Sequence, residues 1–162
     1  MSTFVSVGNA TQPFTRLLDG IVAIARELPQ PVFVQSGSTP FHSADCQGTP
    51  WLAMADFESR VSESDLLILH AGAGSVIHAI RAGRVPVVMP RLASHGEHVD
   101  DHQVEFAREL ERAGRIVVAA EPTDLMRAVQ AALARQRDAS PTVAVPAMVG
   151  MIADVLHRYA TP

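Results

Sequence analysis

Between residues 66 and 75 the chain reads Leu-Leu-Ile-Leu-His-Ala-Gly-Ala-Gly-Ser, an apolar run that passes straight into a small-residue turn and then a helical pattern. Gly72 and Gly74 let the backbone turn tightly and let a ligand approach it. The N–H groups that open a helix near Ser75 have no acceptor within the helix, and the helix dipole adds positive potential there. Such a turn suits a phosphate ester. The same residues also read as a plain strand-to-helix connection, and they lack both the lysine of a Walker loop and the third glycine of a dinucleotide fingerprint.

Further polar groups follow other apolar runs: Gly8-Asn9, Ser36-Gly37, and Pro90-Arg91 leading into Gly96-Glu97-His98 and Asp101-His102-Gln103. His95, His98 and His102, with Asp100 and Asp101, have metal-ligand spacing, which leaves a metal-binding domain as one reading, although no H-E-x-x-H order is present. Cys46, the one cysteine, has no base paired with it in sequence and reads as loop packing.

The elements that must position these groups alternate. Strands are expected at Phe4–Val7, Val32–Gln35, Trp51–Met54, Leu66–Leu69, Val85–Met89 and Ile116–Val118, with a loop over 36–50. Helices are expected at Phe14–Leu28, Phe57–Ser64, Ser75–Ala82 and Asp101–Ala113, then from a Thr123 cap to Ala134, and finally from Ala144 to Tyr159. Strand alternating with helix through short connections implies a parallel α/β sheet with helices on both faces, Rossmann-like, forming one domain over residues 1–162. In such a sheet ligands bind beyond the carboxyl ends of the strands, where the polar turns fall.

Composition narrows the partners. The 162 residues carry 17 acids against 13 basic residues, all arginine, for a net charge of −4, which argues against a nucleic-acid partner. A single cysteine excludes a disulfide framework. The opening residues carry no signal-peptide pattern, and the apolar stretch Val143–Ala153 falls short of the roughly 20 residues a membrane span requires. A soluble, cytoplasmic setting is the expectation.

The stretch HAGAGSVIHAIRAGRVPVVMPRLASHGEHVDDHQVEFARELERAGRIVV resembles the nucleotide-sugar-binding half of family 28 glycosyltransferases, above all the small subunits of two-chain enzymes. Those are the cytosolic subunit of the dolichol-linked N-acetylglucosaminyltransferase and bacterial exopolysaccharide counterparts, glucuronosyltransferases among them. Upstream, VSVGNATQPFTRLLDGI, VFVQSGS and ADFESRVSESDLLILHAGAGS are similar to the same family.

The resemblance implies the donor-binding half of an inverting B-type glycosyltransferase that takes a UDP-sugar as substrate without a bound cofactor or metal. It places His70, Gly72, Gly74 and Ser75, with Gly8 and Asn9, at the donor diphosphate, and Met54 and Phe57 beside the base. Arg91, Asp101, His102 and Gln103 fall near the sugar. Arg91 would pair with a glucuronate carboxylate, or else be a surface arginine or one pairing with Glu97.

Where the family places a ribose-binding glutamate, this chain has His78, which offers fewer hydrogen bonds. Either His78 takes that role, or another acid reaches the ribose, or a partner completes the site. The resemblance also implies a membrane-anchored partner subunit carrying the general base, a lipid-linked acceptor and a peripheral place at the cytoplasmic face of the membrane. The last helix, with Val145, Val149, Ile152 and Leu156 on one face, would be either core or a docking face for that partner. A non-catalytic enhancer subunit that has lost donor binding is the other reading within this family.

Overall fold

A computed structural model describes residues 1–138 together with Gly150, Ala153, Asp154, His157 and Arg158. Six strands form one sheet: β1 (Thr3–Ser6), β2 (Val32–Gln35), β3 (Gln47–Thr49), β4 (Leu66–His70), β5 (Val87–Met89) and β6 (Val117–Val118). Their spatial order is β3-β2-β1-β4-β5-β6 and every pair is parallel. Among residues 1–138 five α-helices connect or flank them: α1 (Thr15–Ile24), α2 (Met54–Glu63), α3 (Ala73–Arg81), α4 (His102–Arg112) and α5 (Leu125–Asp138).

Side chains on a strand alternate between the two faces of the sheet, and each face has its own core. Val5, Val34, Ile68, Val87 and Met89 pack with Phe14, Leu17, Ile21, Leu125 and Val129, which puts α1 and α5 on one side. Phe4, Leu67 and Leu69 meet Phe57, Val61 and Ala79 on the other, and Val88 joins Val76, Ile80, Phe106 and Leu110. Helices α2, α3 and α4 cover that face. A strand sealed on both faces must be apolar at nearly every position. All five residues of Leu66–His70 are buried.

The chain winds outward from β1 to β3, returns, and winds the other way from β4 to β6. The reversal falls between β1 and β4, whose carboxyl ends lie side by side, Ser6 opposite Leu69. Diverging loops at such a point leave a crevice.

Several expected bounds move. The third strand is Gln47–Thr49, inside the stretch read as loop, and Met54 opens α2 instead of closing a strand. This edge strand is largely exposed, so it lacks the apolar pattern that would announce it. The first helix tightens at Ile24 into a 3₁₀ turn over Ala25–Glu27. The fifth runs over Leu125–Asp138 and is led in by a 3₁₀ turn, Pro122–Asp124, whose N-cap is Glu121 in a capping box with Asp124, so Thr123 is not the cap. The expected final helix lies outside the described residues, apart from Gly150, Ala153, Asp154, His157 and Arg158, which are helical and exposed. Among the described residues no helix is long and apolar enough to cross a membrane.

Candidate functional site

The crevice at the reversal holds a cavity of about 220 Å³ lined by Gly8, Asn9, Gln35, Leu52, Met54, Phe57, Gly74, Ser75 and His78. Seven of the residues singled out from sequence therefore meet in one place, drawn from the β1–α1 turn, helix α2 and the start of α3. No carboxylate lines it.

Its polar end is the amino terminus of α3. Gly72 stands at the N-cap position, no side chain caps the helix, and Val76 N–H is the group that bonds back to Gly72 C=O at 3.1 Å. The N–H groups of Ala73, Gly74 and Ser75 are thus the uncapped donors of the first turn. A Cβ built on Gly74 meets nothing within 4 Å. That residue faces open space.

His70 occupies a different place from the one expected. Its ring lies beneath the loop, 8% exposed, wedged so closely between Gly8 and Gly72 that a Cβ on either would overlap it. Gly8 also has φ +76°, a conformation that favours glycine. Burial, then the nearby Arg91 guanidinium and His98, push the His70 pKa down to about 4 even though a main-chain bond to Ser6 opposes the shift. The imidazole is neutral at pH 7 and supports the two turns; it does not line the cavity. Gly72 shares that supporting role.

Asn9 is exposed and held by a short relay. Ser6 Oγ donates to Gln35 Oε1 at 2.7 Å, and Gln35 Nε2 donates to Asn9 Oδ1 at 3.2 Å. With its oxygen engaged, Asn9 presents its amide hydrogens as donors. Gln35 itself was not among the residues singled out from sequence. The available signal was a polar residue closing an otherwise apolar strand.

The opposite wall is apolar. Phe57 packs edge-on against Phe4 with centroids 5.6 Å apart, and Met54 stands 62% exposed at the rim. His78 lies edge-on to Phe57, and its Nδ1 is 3.7 Å from Glu58 Oε1. An acid therefore does stand beside His78, supplied by α2.

Arg91, Asp101, His102 and Gln103 lie on the neighbouring β5–α4 segment and do not line the cavity. Arg91 is neither a surface residue nor open to a sugar carboxylate: it is fully buried, and its Nη1 and Nη2 donate to main-chain carbonyls while Nε has no partner among the described residues. Nor does it pair with the Glu97 carboxylate, which takes a bidentate bond from Arg16 at 2.9 and 3.0 Å. Burial lowers the Arg91 pKa to about 10, with Glu97 opposing, so it stays charged. Gln103 Oε1 accepts from Arg91 N–H at 3.1 Å, and Asp101 Oδ1 accepts from Ala93 N–H at 3.0 Å.

The histidine cluster is organised around a carboxylate. His98 and His102 each place Nδ1 3.2 Å from Asp100, whose pKa is lowered chiefly by the His102 main-chain N–H. Among the described residues no group of three His, Cys, Asp or Glu is placed to hold a metal ion.

A larger concavity of about 430 Å³ lies along the 36–50 loop, lined by Ser38, Pro40, Phe41, His42 and their neighbours. It includes the Ser36-Gly37 turn but has no helix amino terminus and none of the residues that the resemblance places at the donor, so the smaller cavity is the candidate site.

Residues 2–145 match the model of the glycosyltransferase family 28 C-terminal domain. The chain belongs to glycosyltransferase family 28. Among its relatives, a UDP-N-acetylglucosamine–N-acetylmuramyl-(pentapeptide) pyrophosphoryl-undecaprenol N-acetylglucosamine transferase of Solibacter usitatus is 32% identical over 116 residues, 67% of this chain and 31% of that protein. The UDP-N-acetylglucosamine transferase subunit ALG13 of Yarrowia lipolytica is 40% identical over 63 residues, 39% of this chain and 30% of that one.

Among solved structures, a glycotransferase of kitacinnamycin superposes with a TM-score of 0.61 at 17% identity, over 95% of this chain and 37% of that one. MurG of Acinetobacter baumannii gives 0.55 at 22%, over 94% and 49%. These two likenesses establish the glycosyltransferase fold of this family 28 chain. The chain spans about a third of the length of the curated relatives it matches.

Proposed function

We propose that this family 28 chain is the UDP-sugar-binding half of an inverting glycosyltransferase that works with a second, membrane-anchored polypeptide. The observation that carries the reading is the cavity at the sheet's reversal, where the uncapped start of α3 and the amide of Asn9 point donors into a pocket whose other wall is apolar. A diphosphate fits the donor end, and a base fits between Met54 and Phe57. His78, with Glu58 Oε1 3.7 Å from its Nδ1, would take the ribose.

In the reaction, the bond between the anomeric carbon and the β-phosphate oxygen breaks as the acceptor hydroxyl attacks from the opposite side. Negative charge grows on the departing diphosphate, and preorganised N–H groups of Ala73, Gly74 and Ser75 stabilise it without needing to reorganise. Gln103, Asp101 and His102, on the neighbouring β5–α4 segment, would contact the sugar beyond the cavity's edge. The general base that removes the acceptor proton belongs to the partner. The expected donor is UDP-glucuronate, UDP-glucose or UDP-N-acetylglucosamine, and the expected acceptor is a lipid-linked sugar in polysaccharide synthesis at the cytoplasmic face of a membrane. No cofactor or metal is required.

Calorimetry with UDP tests the reading: binding in the micromolar to low-millimolar range supports it. Gly74→Leu, which fills the cavity from a position with free space, should abolish that binding while the fold persists. The histidine in place of a carboxylate favours a second reading, a non-catalytic enhancer subunit. Absence of UDP binding even with the partner present would select it.

A further inference from the structure

The buried charges beneath the β5–α4 segment are more than filler. Arg91 is fully buried in a chain whose other largest buried side chains are apolar. Burying a guanidinium is unfavourable unless its donors are met. Nη2 donates to Val7 C=O at 2.7 Å, and Nη1 donates to Gln12 C=O and to Glu97 C=O, both at 2.9 Å. The Phe14 ring lies under it, with the guanidinium carbon 4.7 Å from the centroid. Val7 and Gln12 bracket the Gly8-Asn9 turn, while Glu97 belongs to the segment leading to Asp101 and Gln103. The main-chain N–H of Arg91 reaches Gln103 itself.

Around this, Arg16 of α1 grips the Glu97 carboxylate and the carbonyls of Pro90 and Ala120, and Leu92 N–H closes onto Glu97 at 2.8 Å. Two arginines and one glutamate thus fasten the loops after β1, β5 and β6 to one another.

We propose that Arg91 is a positioning residue, which from its buried place ties the Gly8-Asn9 wall of the cavity to the segment carrying Gln103 so that the two move as one body. Lysine cannot substitute: one ammonium point replaces two planar nitrogens that reach carbonyls on separate loops. The part that concerns ligand binding rests on the donor-site reading of the cavity; the loop coupling itself does not.

The test separates the two. In ligand-free protein, amide hydrogen exchange over residues 8–12 and 97–103 should run about tenfold faster in Arg91→Lys than in the wild type, with the β1 and β4 strand amides unchanged. UDP should bind that variant about tenfold more weakly by calorimetry. In an NMR titration His70 should keep its low pKa in Arg91→Lys, which retains the charge, and rise only in part in Arg91→Gln, because burial is the larger cause.

Unchanged exchange in the two loops, or faster exchange spread evenly over the whole chain, overturns the coupling. Faster loop exchange with undiminished UDP affinity overturns its service to the site. A wild type that fails to bind UDP with the partner absent and present overturns the donor reading and leaves the coupling to be judged by exchange alone. Should Arg91→Gln not fold, the exchange and binding arms on the lysine variant still decide.

Discussion

Gly72 and Gly74 look equivalent in the sequence and are opposites in space. A methyl group at Gly72 would overlap the His70 ring, whereas at Gly74 it would meet nothing within 4 Å. Gly72→Ala should therefore lower stability by about 1–3 kcal/mol through overpacking. Gly74→Ala sits in the first turn of α3 and should be neutral or stabilising by up to about 1 kcal/mol. Urea titration of both variants checks the contrast, and equal losses would contradict it.

His70 brings a pH dependence of definite sign. Its folded pKa of about 4 lies below its ordinary value of 6.5, so the unfolded chain binds the proton more readily. Stability should be fully present above about pH 6.5, fall as the pH drops, and level off below about pH 4, with roughly 3 kcal/mol lost across the window. His70→Asn should lack that slope when denaturation midpoints are compared between pH 7 and 4.5. A slope as steep as the wild type's would remove His70 as its source.

At the level of elements, the sequence carried the central strands and the α3 turn because burial on both faces and a sharp change of period leave a signature. Leu66–His70 could hardly be anything other than a covered strand. What stayed hidden followed from weak local constraint. Gln47–Thr49 gains its strand conformation from pairing with β2, since its side chains face solvent and bear no apolar period.

Long-range partnerships were equally hidden at the site. Arg91 and Glu97 are six residues apart and read as a pair, yet their charges are met by Val7, Gln12 and Arg16 across distant loops. Glu58 stands beside His78 only because α2 packs on α3. The Gly-x-Gly turn named the right loop, but which of its residues face the ligand depended on where the His70 ring was stowed.

Across the whole molecule, the polar turns gather on one edge of the sheet, and the match covers about a third of the length of the curated relatives. On the proposed reading a cleft enzyme is divided between polypeptides, so transfer should be measurable only after reconstitution with the acceptor-binding subunit, whereas donor binding should already be present in this chain. A ligand held at about a hundredfold over its Kd stabilises by about 2.7 kcal/mol, so UDP should raise the melting temperature by roughly 5–10 °C. An unmoved melting curve in saturating UDP, with partner absent and present, would count against donor binding.

The empty space beside Gly74 also makes it a place for a reporter. The one native thiol, Cys46, is partly buried and burial pushes its pKa up, so it reacts sluggishly and is readily replaced. In a Cys46→Ser background, Gly74→Cys would carry a single small fluorophore at the lip of the cavity. A label of that size would fill the donor pocket as Gly74→Leu does, so its emission would register a second polypeptide closing over the cavity and not the nucleotide.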